Sequence, residues 1–342
     1  MTRITVLTGG STAERDVAFA GASQVVTALR AGGAEVAVVD TVNGLLSPAD
    51  ERRYLVASVG TRPPTDADVA ALRAADLGPA VVNIPALRDA DVAFLVIHGK
   101  QGEGGELQAL LDMAGIAYTG SDTLGSALAM DKDVAKRLFR GAAIPTPDWD
   151  VWPASESAVA LLGFPLVVKP SREGSTVGLS LVKRADGLEA AVKLAQRYDD
   201  QVILERFIAG REFTVGVLGA RALAVGEILP SHEIFDYECK YTPGMCREVF
   251  PADLDSRTTG QIQELGLAAH RALKLRDFSR VDFRLDKDGT PYCLEVNTLP
   301  GMTRTSLFPQ SAGAVGIDFG AACQEIARLA LTRGTPRNKV GA

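Results

Sequence analysis

The chain has 342 residues, enough for two or three domains, with 46% hydrophobic and 23% charged residues, the balance of an ordinary soluble globular protein. A net charge of −6 argues against nucleic acid or an anionic membrane as the main partner, so any anionic ligand must be held by local basic residues. Three histidines, and four cysteines without close metal-type spacing, argue against zinc and a disulfide framework. No apolar run approaches the roughly 20 residues of a membrane span. The opening Met1-Thr-Arg-Ile-Thr-Val-Leu lacks the layout of a signal peptide, and the cytoplasm is the expected compartment.

Ile4 to Thr8 reads as a short apolar strand and Gly9-Gly10-Ser11-Thr12 as a turn. A helix follows to about Arg30, closed by Gly32-Gly33, and Val36 to Val39 is a second strand. Strand–helix–strand predicts a parallel sheet. The turn lacks the G-x-G-x-x-G spacing of a dinucleotide site. Ser11-x-x-Glu14 admits two readings: a capping box, or a carboxylate waiting at a strand-to-helix turn, where open sheets bind ligands. Residues 41–87 carry no readable motif. Val92 to Ile97 reads as a buried strand ending in His98-Gly99-Lys100-Gln101-Gly102-Glu103-Gly104-Gly105, before a helix from about Glu106 to Ala114. A lone histidine is more often structural, but one between a buried strand and a glycine-rich loop is a site candidate. A domain boundary is expected near Gly120.

Thr123 to Arg140 reads as one helix, stopped by Gly141 with Pro145 and Pro147 beyond, on which Lys132 and Lys136 look like solvated charges. A strand from Phe164 ends at Lys169-Pro170, the loop SREGSTVGLS follows, and Leu181-Val182 resumes a strand. Lying between strands and not before a helix, the loop is no Walker A loop, yet its N–H groups suit a flap over phosphates. Leu188 to Tyr198 is helical; strands are predicted over Val202–Ile208, Glu212–Leu218 and Ala222–Leu229. The polar stretch 232–254 has the length of a functional lid. A helix spans Thr258 to Leu273, and the tail from Thr332 looks frayed.

Arg280 to Asn297 predicts a hairpin. Val281, Phe283 and Leu285 alternate with Arg280, Asp282 and Arg284; Tyr292, Leu294 and Val296 alternate with Cys293, Glu295 and Asn297; Asp288-Gly289 marks the turn. A two-residue loop sets Asp282 opposite Glu295 and Arg280 opposite Asn297. That face is either a cross-strand ion-pair ladder or a magnesium site completed by water and phosphate oxygens. Leu299-Pro300-Gly301 then leads to Thr303, Thr305 and Ser306, suitable lining for a carboxylate or an oxyanion.

The segments GGSTAERDV, HGKQGEGGELQALLDMAGIAYTGS, MDK, VVKPSREGSTVG, EFTVGVL, YECKYTPG, RVDFRLD and LEVNTLPGMT–SLFPQSA together resemble the D-alanine–D-alanine ligases of the ATP-grasp superfamily, from residue 5 to about 316. The resemblance implies an α/β (α+β) three-domain ATP-grasp fold with a parallel-sheet N-terminal domain. Its divisions would be 1–120 (binding the first D-alanine), 121–205 (with the phosphate flap) and 206–342 (with a lid loop, 231–253, and the metal hairpin). It implies ATP-dependent joining of two D-alanines through an acyl phosphate for peptidoglycan precursors. The cofactors would be ATP and two Mg²⁺, for which Mn²⁺ could substitute, with small-molecule partners only and a homodimer compatible. Asp282, bridging Glu295 and Asn297 would hold the metals. Lys132, Lys169 and Lys240 would contact phosphates, under a flap at Gly174–Gly178. Glu205 and the backbone near Phe207 and Ile208 would face adenine, and Glu212 the ribose. Glu14 would hold the first ammonium and His98 would lie near that carboxylate. Arg280 and the Gly301 N–H would serve the oxyanion, and Ser306 and Leu307 the second carboxylate. Ser175, Tyr241 and Glu14 would lock the lid. Two departures stand out: Val17-Ala18-Phe19, where the family usually has Val-Ser-Leu, and Arg304. The alternatives are a D-alanine–D-lactate or other dipeptide ligase, which Tyr241 disfavours for the lactate case, and a non-catalytic nucleotide-binding regulator.

Overall fold

The computed structural model describes residues 1–57, 65–231 and 244–334. Its first sheet comprises β1 (Arg3–Thr8), β2 (Glu35–Asp40), β3 (Gly44–Leu45) and β4 (Val92–Val96), in the order β3-β2-β1-β4. β1 runs parallel to β2 and β4, as strand–helix–strand requires; the short β3 adds an antiparallel edge the sequence did not announce. All five β4 residues are buried, which a strand covered on both faces demands. One cover is the helix Arg15–Ala31. It packs against Phe319–Arg333, a helix from the far end of the chain whose Phe319, Cys323 and Ile326 share the first sheet's core. That helix includes Thr332 and Arg333, the first residues of the stretch expected to fray; from residue 335 onward that stretch lies outside the described residues. Arg333 pairs with Asp277 and donates to the Tyr118 carbonyl at 2.6 Å.

The second sheet is antiparallel: β5 (Trp149–Val151), β6 (Leu166–Pro170), β7 (Ser180–Val182) and β8 (Val202–Arg206), ordered β5-β8-β6-β7. The third contains β9 (Arg211–Leu218), β10 (Arg221–Pro230), β11 (Cys246–Val249), β12 (Phe278–Leu285) and β13 (Pro291–Asn297), ordered β11-β10-β9-β12-β13. The helix Ser256–Ala272 backs it, with Gly266 letting the helix approach Val215. β11 lies inside the stretch expected to be a lid loop, and β8 stops at Arg206, leaving Phe207 and Ile208 in a loop.

Two local departures shape the site. Residues 123–140 form two helices, Thr123–Met130 and Lys132–Gly141, not one. Asp131 turns extended (φ −81°, ψ 100°) and caps the second helix, its carboxylate accepting from Val134 N at 3.1 Å. The β12–β13 hairpin keeps the expected pairs Arg280–Asn297 and Asp282–Glu295, but by another route. Its loop has three residues, with Asp286 and Thr290 bonded across it and Gly289 at φ +79°, and a bulge at Leu294 restores the register. The bulge also overturns the expected alternation: Cys293 joins Val296 in the core, while Leu294 turns to the opposite face.

The β1–helix turn depends on Gly9, which sits at φ +84° against the buried Arg15–Asp40 pair (2.9 Å); a Cβ there would overlap the Asp40 carboxylate. Gly9→Ala is expected to cost roughly 1–3 kcal/mol of stability in urea titrations, from left-handed backbone strain plus that collision. An unchanged midpoint would show that the turn relaxes freely.

Candidate active site

Two cavities meet above the third sheet. The first, ≈ 910 Å³ counted to its open mouth, lies between the second and third sheets. Val167, Leu179, Phe207, Ile208 and Leu294 make part of it apolar. Polar groups occupy the rest: Lys132, Lys169, Glu205, Glu212, Arg284, Asp282 and Glu295. The glycine-rich loop closes one side with Gly174, Ser175, Thr176 and Val177; Ser175 and Thr176 both have positive φ (49° and 60°).

Lys132 and Lys136 are not the solvated charges expected. The helix break at Asp131 turns Lys132 inward, where its ammonium donates to the Glu173 carbonyl (2.6 Å) and lies 3.3 Å from Glu295. Lys136 is fully buried, 2.7 Å from Glu205, whose other oxygen takes Lys169 at 2.9 Å. Burial pulls the Lys136 pKa down to about 8, although Glu205 pulls the other way. For Glu205 burial pushes upward, yet the two ammonium groups outweigh it and hold the carboxyl below its ordinary range.

On the hairpin face Arg280 grips Asp282 through Nε and Nη2 (2.9 and 2.8 Å), a pair along one strand and not a cross-strand ladder. Thr214 Oγ1 and Asn297 Nδ2 also donate to Asp282, at 2.7 and 3.0 Å. Burial opposes the Arg280 charge, but Asp282 more than compensates and keeps its pKa above the usual arginine value. Asp282 and Glu295 face each other in register, and the Asn297 side chain is turned so that its NH₂ is occupied and its carbonyl oxygen remains. Two carboxylates and an amide oxygen fit a hard divalent ion. Among the described residues no three His, Cys, Asp or Glu side chains are placed together so as to hold a metal ion by themselves, so such an ion must draw further oxygens from ligand and water.

The second cavity, ≈ 1260 Å³, is lined by Glu14, His98, Glu103, Glu248, Arg280, Gly301, Ser306 and Leu307, among others. Gly174, Ser175 and Arg280 line both cavities, so the flap and the arginine form their junction. Of the two readings of Glu14, the capping box is absent: Glu14 is the N-cap without a side-chain bond to the helix, and its carboxylate accepts from Ser175 Oγ. His98 Nδ1 donates to the Leu299 carbonyl (3.1 Å), leaving Nε2 buried without a partner among the described residues; burial lowers its pKa. Ser306 Oγ accepts from Thr303 N at 3.1 Å, folding the hydroxyl loop under Gly301.

Lys240 and Tyr241 lie outside the described residues, so of the expected lid lock only the Ser175–Glu14 bond is described. The two departures from the family pattern fall beside the cavity. Phe19 is core, stacked on Tyr54, and the Arg304 guanidinium stacks on Phe319. Sequence reasoning missed four groups. Arg284 anchors Glu212 (3.0 Å) and the Ile208 carbonyl (3.1 Å), and its signal was there, on the polar face of β12. Glu103 receives the Gly99 and Leu299 N–H groups (3.0 and 3.2 Å), and burial, reinforced by Glu14, pushes its carboxyl up to about 7. Glu248 lay hidden in a stretch read as loop; Lys136 was read as surface.

Family models described as D-ala D-ala ligase N-terminus and C-terminus match residues 3–121 and 142–328. The D-alanine–D-alanine ligase of Desulfotalea psychrophila is 39% identical over 342 residues, covering 97% of this chain and 95% of that protein. That of Halalkalibacterium halodurans is 38% identical over 340 residues, covering 97% and 100%. The crystal structure of the Bacillus anthracis ligase complexed with ATP superposes with a TM-score of 0.79 at 30% identity, over 99% of both chains. The Coxiella burnetii ligase gives 0.80 at 27%, over 99% and 96%, and the VanG D-Ala:D-Ser ligase from Enterococcus faecalis 0.78 at 29%, over 96% and 99%. Matched along nearly its whole length in sequence and in fold, with every cavity-lining residue but Lys132 inside the two family-model matches, the chain belongs to the D-alanine–D-alanine ligase family.

Proposed function

We propose that this protein joins two D-alanine molecules into D-alanyl-D-alanine at the expense of ATP, supplying a peptidoglycan precursor in the cytoplasm. The observation that carries the reading is the junction: an apolar-walled cleft with lysines opens at Arg280 and the flap into a second cavity of carboxylates and hydroxyls. A carboxylate is a poor electrophile. One oxygen of the first D-alanine's carboxylate takes the γ-phosphoryl group of ATP, ADP leaves, and the acyl phosphate is attacked by the second amine. The tetrahedral oxyanion then expels phosphate, and the amine gives up its proton.

Lys132, Lys169 and Lys240 hold the phosphates in this reading, with Glu205, Phe207 and Ile208 around adenine and Glu212 at the ribose. Glu14 binds the first ammonium, His98 lies near its carboxylate, and Ser306 with Leu307 receives the second carboxylate. Arg280 and the Gly301 N–H face the oxyanion, where donors in place contribute most. Asp282, Glu295 and Asn297 would hold two Mg²⁺ ions, or Mn²⁺ in their stead, which would supply neutralisation of phosphate charge. Ser175, Glu14 and Tyr241 close the flap and lid against water, protecting a readily hydrolysed intermediate. The domain divisions proposed with it are 1–120, 121–205 and 206–342.

Phosphate release from ATP is expected to require both a divalent ion and D-alanine, and mass spectrometry should find the D,D-dipeptide. Turnover with L-alanine but none with D-alanine would sink the assignment. D-lactate or D-serine in place of the second substrate tests the neighbouring ligase specificities.

Glu295→Gln keeps the side chain's size and removes its charge. The rate is expected to fall by about 10³ or more if metal neutralisation drives the chemistry, with little change in thermal stability. Full activity would reduce the hairpin face to an ion-paired sheet surface.

A further inference from the structure

The helix Lys132–Gly141 carries Arg137 and Arg140 in solvent, yet Lys136 has no exposed surface. Burying an ammonium group is costly unless it is paired and fully hydrogen-bonded. Its Nζ lies 2.7 Å from Glu205 Oε2, donates to Thr146 Oγ1 at 2.7 Å, and faces the Trp149 ring at 5.1 Å. Thr146 spends its own proton on the Cys293 carbonyl (2.8 Å), so its lone pairs are what Lys136 meets. The group is therefore held by Glu205 and Trp149 of the second sheet and by Thr146, which is itself tied to the third sheet through the Cys293 carbonyl.

Glu205 thus carries two ammonium groups, one on each oxygen. They are not equivalent. Lys169 lines the cleft, whereas Lys136 stands behind Glu205 and does not. A triphosphate entering the cleft offers Lys169 a stronger partner, and Lys169 can follow it; Lys136 is locked in place. When Lys169 leaves, Glu205 Oε1 opens toward the apolar slot formed by Val167, Leu179, Phe207, Ile208 and Leu294. A slot of that kind fits a planar ring, and a carboxylate at its floor favours a ring bearing an amino donor over one bearing a carbonyl. Had Glu205 only Lys169 for a counter-ion, a buried carboxylate would retain it.

We propose that Lys136 is a positioning residue for nucleotide selection: as the permanent counter-ion of Glu205, it releases Lys169 to the triphosphate and frees Glu205 to accept from the 6-amino group of adenine. The inference rests on the first cavity being the ATP site.

The test compares the unaltered full-length protein with Lys136→Met, using ATP and ITP, whose hypoxanthine carries a carbonyl where adenine carries the amino group. Steady-state D-alanine-dependent phosphate release gives kcat and KM for each nucleotide. The unaltered protein is expected to prefer ATP. In Lys136→Met the KM for ATP should rise roughly tenfold or more, as for a lost charged hydrogen bond, with kcat changed far less and the ATP:ITP preference largely abolished. Glu205→Gln and the double variant complete a cycle, because a neutral amide in place of the carboxylate needs no counter-ion. Adding Lys136→Met to Glu205→Gln should then leave the ATP:ITP ratio where Glu205→Gln put it, and this comparison decides the matter even if Lys136→Met alone folds poorly. An unchanged ratio in folded Lys136→Met, a further equal loss in the double variant, or no ATP preference in the unaltered protein would overturn the proposal. Should D-alanine-dependent release fail altogether, the ligase reading falls, and calorimetric titration of ATP and ITP into the same four proteins still decides the role of Lys136.

Discussion

Charge cancellation inside the cleft is the constraint on which the rest depends. Arg280 lies on Asp282, Lys132 near Glu295, and Lys169 with Lys136 on Glu205. All of these charges but Glu295, which is half-buried, are largely withdrawn from water, and an isolated one would be prohibitive, so the protein folds with these groups set on one another. In the proposed reaction ligands would exchange partners with these pairs. The sheets, the helix break at Asp131 and the hairpin register matter because they bring each opposite charge to within about 3 Å, close enough to offset desolvation.

The same constraint explains what was legible in the sequence. The hairpin face could be read because period two and an Asp-Gly turn determine which side chains share a side. Arg280, Asp282, Glu295 and Asn297 came together although the loop is one residue longer than expected, since the Leu294 bulge cancels the difference. Lys136 could not be read, because a lysine on an amphipathic helix looks the same whether it meets water or a buried glutamate 69 positions away in sequence; only the tertiary fold supplies Glu205. The helix break was similarly hidden: Asp131 is an ordinary residue within a helical pattern, and its capping role shows only once Lys132 is drawn toward Glu173 and Glu295. The sequence admits two readings of Glu14, and Ser175, from a distant segment, separates them.

The second cavity owes its shape to the loops on either side of it. Glu103 and His98 hold Leu299 from both directions, one accepting its N–H and the other donating to its carbonyl. That clasp fixes the Leu299–Gly301 turn against the loop following β4, and hence where Gly301 and Ser306 stand. A half-buried carboxylate bonded to two backbone N–H groups is a rigid support, suited to the proposed site for two small zwitterions.

The helix Phe319–Arg333 closes the core of a sheet whose strands all lie within the first 96 residues, and Phe278, Leu299, Met302 and Phe308 enter that core as well. During synthesis the first sheet therefore emerges with one flank bare. At about 5–20 residues per second, the more than 220 residues separating β4 from that helix take roughly ten seconds or longer to appear. Over that interval the nascent chain carries exposed apolar surface that its own later segments must cover, which makes the amino-terminal third a natural client for holding chaperones. A ribosome stalled before Phe319 would leave a product unable to complete its first layer.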